Sequence, residues 1–348
     1  MFGNAPSKIS VLVTGGAGYI GAHAVKALAE RGLTPVVFDD LSAGHPEALR
    51  WGEFVRGDVR DRAALCAAMR EHRVGAVMHF AGLIEVAGSV ADPDRYFDVN
   101  VGGVDAVLAA MSDCGVQRLV FSSSAAVYGR GPAGVALAED HPKDPASPYG
   151  ETKLVAERMI AAHCAAFGAT AVALRYFNAA GADASGLIGE AHEPETHLIP
   201  LAIAAGLGNG PPLSVYGTDF DTPDGSCVRD YVHVNDLAQA HMAALALGMP
   251  HGDFEAFNVG TGRGCSVLQV IDAVERALGA PVPRSACPRR DGDPASLISE
   301  PAYALDRLGW RPADSDLDEI VRSAVAWHRS PAYGGGVKPG RDLLRAVG

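Results

Sequence analysis

The segment "SPYGETK" places Tyr149 and Lys153 four positions apart just after a proline. On a helix that spacing puts a phenol and an ammonium on one face. Upstream, "RLVFSSSAAVYG" ends a strand-like run in hydroxyls, among them Ser124. A free tyrosine, with a pKa of about 10, is a poor base at neutral pH. A neighbouring cation favours its phenolate, which could then take a proton from a hydroxyl while hydride leaves the carbon. Ser124 would hold the same oxygen. Taken alone, a tyrosine and lysine at this spacing are as readily two surface residues on a helix, so the rest of the chain has to decide.

The N-terminal stretch "VLVTGGAGYIGAHAVKALAERG" supplies the context. Gly15, Gly18 and Gly21 lie between a strand pattern and an amphipathic helix, and a second strand pattern closes in "VFDD". Gly15 permits a tight turn, Gly18 lets backbone approach a pyrophosphate, and Gly21 lets the helix pack close. The helix N-terminus then faces the phosphates. Asp39 ends the second strand, where a carboxylate accepts both ribose hydroxyls and repels a 2'-phosphate, so NAD is favoured over NADP. Asp58, in "GDVR", follows the next strand and is placed to meet the adenine. A nicotinamide cation beside Tyr149 would further favour the phenolate.

Positioning these residues requires a sheet. The runs "ISVLVTG", "TPVVFDD", "AVMHFAG", "RLVFSSS" and "TAVALRYFN" alternate with Ala-rich helical stretches. The strand runs are nearly continuously apolar, as parallel strands covered on both faces are. The pattern predicts an α/β protein with a Rossmann-like doubly wound parallel sheet. Residues 1–177 read as the NAD-binding domain, rejoined by part of 230–258. Residues 178–348, richer in Gly and Pro and in long loops, read as a smaller, mainly substrate-binding domain. The end "YGGGVKPGRDLLRAVG" reads as a mobile tail.

With 348 residues the chain can bury a large core, and its formal net charge of -12 argues against nucleic acid and anionic membranes as partners. An anionic substrate would need arginines gathered locally. The six cysteines show no CxxC spacing and no accompanying histidine cluster, which points to reduced thiols and no metal. With no signal-peptide pattern and no long apolar run, a soluble cytoplasmic protein is expected.

The motifs "VTGGAGYIG", "HFAG", "SSSAAVYG", "SPYGETK", "RYFNAAGA", "HLIP", "DGSCVRDYVHV" and "PRRDGD" occur in this order as far as about Trp310. In this the chain resembles the extended short-chain dehydrogenase/reductases and, within them, the UDP-glucose (UDP-galactose) 4-epimerases. The resemblance implies an isomerase with tightly bound NAD that interconverts the two UDP-hexoses through a transient 4-keto sugar. It makes Ser124, Tyr149 and Lys153 catalytic. It implies that Gly15, Gly18, Tyr19, Ile20, Gly21, Asp39, Asp40, Asp58, Val59, Phe80, Ala81, Gly82, Asn100, Ser122 and Phe177 line NAD together with Tyr149 and Lys153. It implies that Asn178, His197, Leu198, Tyr216, Arg229, Arg290, Asp293 and Leu297 hold the UDP-sugar with Ser124 and Tyr149. Two arginines from distant segments suit a diphosphate, although either alone is more often a surface ion-pair partner. Leu297 is expected to border the sugar's C2 substituent, unless it is only a core leucine. Many members carry a lysine after "HFAGL"; here Ile84 stands there, so NAD is held less tightly or another cation takes that place. UDP-pentoses and N-acetylated UDP-hexosamines share the same anchor and stay open as substrates. A 4,6-dehydratase would need an Asp-Glu pair where this chain has Ala125-Ala126, and a non-catalytic NAD sensor commonly lacks the Tyr or Lys. A homodimer is implied as well. On the helix "TKLVAERMIAAHCAAFG", Val155 and Met159 form one apolar stripe, and Ile160, Cys164 and Phe167 another that needs a partner.

Overall fold

The computed structural model describes residues 9–129, 134–290 and 293–333. Most of the tail expected to be mobile, and Asp291 and Gly292 of "PRRDGD", lie outside them. The first half runs β1 (Ser10–Thr14), α1 (Tyr19–Glu30), β2 (Thr34–Asp39), β3 (Glu53–Arg56), α2 (Arg62–Glu71), β4 (Val74–His79), α3 (Val86–Ala91), α4 (Pro93–Tyr96), a π-helical turn (Phe97–Val101), α5 (Gly102–Cys114), β5 (Arg118–Ser124), α6 (Pro148–Phe167) and β6 (Thr170–Tyr176). The second half runs β7 (Asn178–Ala180), α7 (Leu198–Gly206), β8 (Leu213–Tyr216), β9 (Val228–His233), α8 (Val234–Ala246), β10 (Phe254–Val259), β11 (Gly264–Ser266), α9 (Val267–Leu278), β12 (Arg284–Cys287), β13 (Ser296–Leu297), α10 (Ala302–Arg307) and α11 (Leu317–His328).

Seven strands form one sheet in the order β10-β6-β5-β4-β1-β2-β3, every pair parallel. Val11, Leu12 and Val13 are all wholly buried because helices cover both faces. Leu12 belongs to an apolar cluster with residues of α2, α5 and α6, whereas Val11 and Val13 join one with α1 and α8. The doubly wound fold read from the continuous apolar runs is therefore present. The chain order reverses between β1 and β4, so the loops after these strands open a crevice at the carboxyl edge of the sheet, where such folds bind ligands.

Smaller sheets stand beyond that edge. β9 pairs with β7, β11 and β13, and β8 pairs with β12. α7, α9 and α11 enclose a separate core containing Ile199, Val270 and Ile320. Lys26 of α1 is paired with Asp183 at 2.5 Å, tying this part to the sheet.

The start of α6 follows from its sequence. Ser147 accepts a hydrogen bond from Gly150 N at 3.2 Å, Pro148 occupies the first turn, and Gly168 ends the helix at φ 75°. The second apolar stripe expected on α6 divides. Ile160 and Cys164 are buried and Met159 packs against the same core, while Phe167 is 65% exposed at the last turn. The sheet's own core takes most of both stripes, leaving Arg158, Ala162, Ala165 and Ala166 on the outer face. No helix of the described residues is long and apolar enough to cross a membrane.

Candidate active site

The loop after β1 is shaped by contacts that admit only glycine. Gly15 has φ +71°, and a Cβ there would lie 2.5 Å from Ala81 N. A Cβ on Gly21 would lie 2.2 Å from the Gly15 carbonyl oxygen. Gly18 caps α1 with no side-chain hydrogen bond, and the first turn holds no acid. The N-terminal amides of α1 are thus left for an anion from outside the helix. Asp39 is buried, and its two oxygens accept Ala17 N at 3.0 Å and Leu41 N at 2.9 Å. Burial raises its pKa against those bonds. A cradle closed to any Cβ, an uncapped helix start and a buried carboxylate at the end of β2 together fit a dinucleotide.

The remaining cofactor candidates divide by what they touch. Tyr19 donates its phenol to Gly181 O at 2.6 Å, so its ring joins the two parts of the chain, and Ile20 packs into the core. Asp40 is exposed and accepts Ser42 N. Asp58 pairs with Arg60, which also reaches Asp98, and Val59 packs on Gly103. Phe80 stands 4.6 Å from His241, ring to ring, and both Phe80 N and Ala81 N donate to Thr14 O, which fixes the turn at Gly82. Asn100 spends both side-chain hydrogens on Leu83 O and Thr152 Oγ1, each at 3.1 Å, and accepts Leu83 N at 2.7 Å. Its amide therefore holds the loop after β4 to α6. Ile84 is 44% exposed in that loop.

At the end of β5, consecutive serines serve different partners. Ser122 offers its carbonyl to Lys153 Nζ at 2.9 Å. Ser123 donates to Glu157 at 2.5 Å on the α6 side. The Ser124 hydroxyl accepts Ala126 N at 3.1 Å and stands close enough to the Tyr149 phenol to lower its pKa. Lys153 Nζ lies 5.9 Å from the Tyr149 ring centroid and 5.0 Å over Phe121. The three expected catalytic residues therefore meet at the carboxyl edge, beside the glycine loop. Burial pushes the Tyr149 phenol above its ordinary value, with the nearby Ser124 hydroxyl working the other way. Burial lowers Lys153 to about 8 while Glu157 opposes. In the chain by itself, then, desolvation outweighs the expected pull of the ammonium on the phenol.

The residues beneath this edge escaped sequence reasoning. Glu157 forms a bidentate pair with Arg175 of β6 at 2.9 and 2.6 Å, and Arg175 donates onward to Tyr128 at 2.7 Å. Thr152 donates to Tyr149 O at 2.7 Å. His79 bonds Thr14 at 2.7 Å, and burial, then the Lys153 charge, lowers its pKa to about 3. Only the position of Glu157, one turn beyond Lys153, hinted at any of this.

On the facing side, Arg290 lies 4.4 Å over the Tyr216 ring, and Asp293 stands between Arg290 (3.4 Å) and Arg229 (3.7 Å). Arg229 is tethered by Val228 O and Pro294 O, while Arg290 is 64% exposed. Four residues from three separate segments are thus drawn together. Asn178 pairs in register with Tyr231. Leu297 and Phe177 pack on the small cluster of Ala125, Val127, Tyr128, Leu137 and Leu154 next to Ser124, so Leu297 has a packing role whatever else it meets. His197 precedes α7, which Leu198 begins. Its ring is turned to Glu190 at 3.0 Å and Glu195 at 2.9 Å. Burial works to lower its pKa, but the two carboxylates raise it to about 10.

A doubly wound sheet carrying a Ser–Tyr–Lys group beside a dinucleotide loop defines an enzyme of the dehydrogenase/reductase type. Residues 11–260 match the family described as "NAD dependent epimerase/dehydratase family". The chain is 48% identical over 319 residues to a UDP-glucose 4-epimerase of Rhizobium leguminosarum bv. trifolii, covering 92% of this chain and 97% of that protein. A UDP-glucose 4-epimerase of Brucella ovis in complex with NAD superposes with a TM-score of 0.88 at 46% identity, covering 94% of this chain and 98% of the other. The Stenotrophomonas maltophila UDP-glucose 4-epimerase, with bound NAD and formylated UDP-arabinopyranose, gives 0.89 at 42% identity over 94% and 99%. The chain belongs to the NAD-dependent epimerase/dehydratase family.

Proposed function

We propose that the chain is an NAD-dependent 4-epimerase that interconverts UDP-glucose and UDP-galactose. The observation that carries this reading is the meeting of Ser124, Tyr149 and Lys153 beside the glycine loop, where Ala125 and Ala126 leave no acid–base pair for elimination. Gly15, Gly18, Gly21 and Asp39 would hold the dinucleotide. NAD, when bound, accepts hydride from the sugar C4 and gives it back to the opposite face, so no net redox remains. Tyr149 takes the proton of the C4 hydroxyl and later returns it to the oxygen. Ser124 holds that oxygen in place, and the Lys153 ammonium supports the phenolate. Arg229 and Arg290 anchor the diphosphate, while the sugar contacts stay loose enough for the 4-keto sugar to turn over.

Purified protein is expected to convert UDP-galactose to UDP-glucose without added reductant. In a panel of UDP-sugars, Leu297 is expected to favour the plain hexoses over their N-acetyl forms by ~10- to 100-fold, because it crowds an acetamido group and offers it no hydrogen bond. A dehydrated 4-keto product, or no turnover of either hexose, would overturn the reading.

We also assign a homodimer through the outer face of α6. The support is the small-residue face of Ala162, Ala165 and Ala166, which would let another helix approach closely. Light scattering that finds only monomer at micromolar concentration would count against it. The six free thiols support a reducing cytoplasmic location. The return of β10 to the main sheet supports a cofactor domain of residues 1–177 rejoined by part of 230–258, with 178–348 mainly for substrate.

A further inference from the structure

We propose that Glu190, His192, Glu195 and His197 form a four-ligand site for a divalent cation of the zinc class. One nitrogen or oxygen from each of the four lies within 4.8 Å of every other. The adjacent donor pairs are closer still. His197 Nδ1 lies 2.9 Å from Glu195 Oε1 and 3.0 Å from Glu190 Oε1, and His192 Nδ1 lies 3.3 Å from Glu190 Oε1 and 3.6 Å from Glu195 Oε2. Nitrogen and oxygen ligands held at about 2.0–2.2 Å from zinc stand about 3.3–3.6 Å apart at the corners of a tetrahedron. Taking either oxygen of Glu195, four of the six separations in the group are thus 2.9–3.6 Å, and all lie within 4.8 Å.

The alternative is a cluster of ion pairs, and two details disfavour it. His192 Nδ1 and Glu195 Oε2 are buried atoms with no hydrogen-bond partner. A proton on His192 Nδ1 would gain attraction there without a hydrogen bond. Two imidazolium rings would also stand 4.9 Å apart, centroid to centroid. A metal uses all four lone pairs and needs neither imidazole charged. Glu190, 4% exposed, is a carboxylate that a soluble loop would ordinarily leave in water. Glu195 is preset by accepting Thr196 N and His197 N, each at 2.8 Å. Two carboxylates and two neutral imidazoles balance a dication.

The place of the site suggests what it does. His197 caps α7, and His192 meets Tyr19 edge-on at 6.1 Å, where α1 begins at the glycine loop. A bound cation would staple the loop before α7 to the start of the cofactor helix, holding the backbone at His197 and Leu198 against the crevice.

The full chain should be purified with NAD, dialysed against Zn²⁺ and then against metal-free buffer, and its zinc measured by mass spectrometry. About one zinc per chain is expected, falling at least 10-fold in His192→Gln. The wild type exchanged with Co²⁺ should show the intense visible bands of four-coordinate cobalt, a readout that does not depend on any variant folding. Zinc retained equally by His192→Gln, retention of far less than one zinc per wild-type chain, or only the weak bands of six-coordinate cobalt would each overturn the proposal.

Discussion

The two walls of the crevice are built differently. On the sheet side, Tyr149, Lys153 and Ser124 stand on a continuous buried network. Glu157, Arg175, Tyr128 and Asn258 link α6, β6 and β10 beneath them through hydrogen bonds of 2.6–2.9 Å. On the facing side, Arg290 and Tyr216 are exposed and held by a stacking contact and by Asp293. In the proposed reaction, the groups that would meet reacting atoms to within a fraction of an ångström sit on a strand and a helix whose own positions are over-determined. Arg290, which would help to recognise a flexible diphosphate in that reaction, sits on a loop that can adjust to it. Binding can be weakened by small displacements, whereas proton transfer is lost by them.

The largest expected effect comes from the sheet side. Tyr149→Phe keeps the ring and removes the proton carrier. Its turnover of UDP-galactose should fall by at least ~10²-fold while NAD content stays that of the wild type. Near-normal epimerisation by that variant would dissolve the contrast between the walls. Next is the network below. Glu157→Gln leaves the buried Arg175 guanidinium without its charge partner, and stability should fall by about 1.5–3 kcal/mol in urea titrations. A midpoint equal to that of the wild type would show that the catalytic edge does not lean on this pair.

The loop side should respond more mildly and in a different parameter. Arg290→Ala is expected to raise KM for UDP-galactose by ~5- to 10-fold and leave kcat nearly unchanged, because the contact is made equally to ground and transition states. A fall in kcat with KM constant would move Arg290 to the other side of the comparison.

The gentlest test uses pH. Burial lowers His23 and His241 to about 4 and His79 to about 3. These histidines lie in the sheet half of the molecule. Unfolded, each would titrate near 6.5. Below that pH the unfolded chain binds protons that the folded chain refuses, so stability should decline from pH 6.5 towards pH 4, by at most about 1.4 kcal/mol per pH unit for each histidine. Replacing His241 by Gln should flatten the decline, provided that the neutral side chain packs, and an unchanged slope would rule this histidine out as a contributor.

Much of this protein was legible in its sequence, and for a local reason. Apolar runs such as Val11–Val13 must be covered on both faces, so they specify a parallel sheet wherever helices alternate with them. Gly15, Gly18 and Gly21 sit within one turn and one helix start, so their spacing together with the strand before and the helix after describes the cradle. Tyr149 and Lys153 share a helix, and Ser147 and Pro148 show where that helix begins. Each of these signals lies within a few residues of itself.

What only the tertiary structure decided involves residues far apart in the chain. Nothing in "RLVFSSS" says that Ser123 turns to Glu157 while Ser124 turns to Tyr149. Nothing in the sequence says that the Asn100 amide joins Leu83 and Thr152 across the π-helical turn. Ile160, Cys164 and Phe167 were expected together on a stripe needing a partner, yet Ile160 and Cys164 go to the core of their own chain and only Phe167 stays exposed. The cluster at Glu190, His192, Glu195 and His197 is the exception, close in the chain, but its segment has no periodic pattern, and only the folded path of the loop shows that these side chains converge. Periodicity reports which face of an element is covered. It does not report which partner covers it, because that depends on strand order and loop path, and both are set by packing of the whole chain.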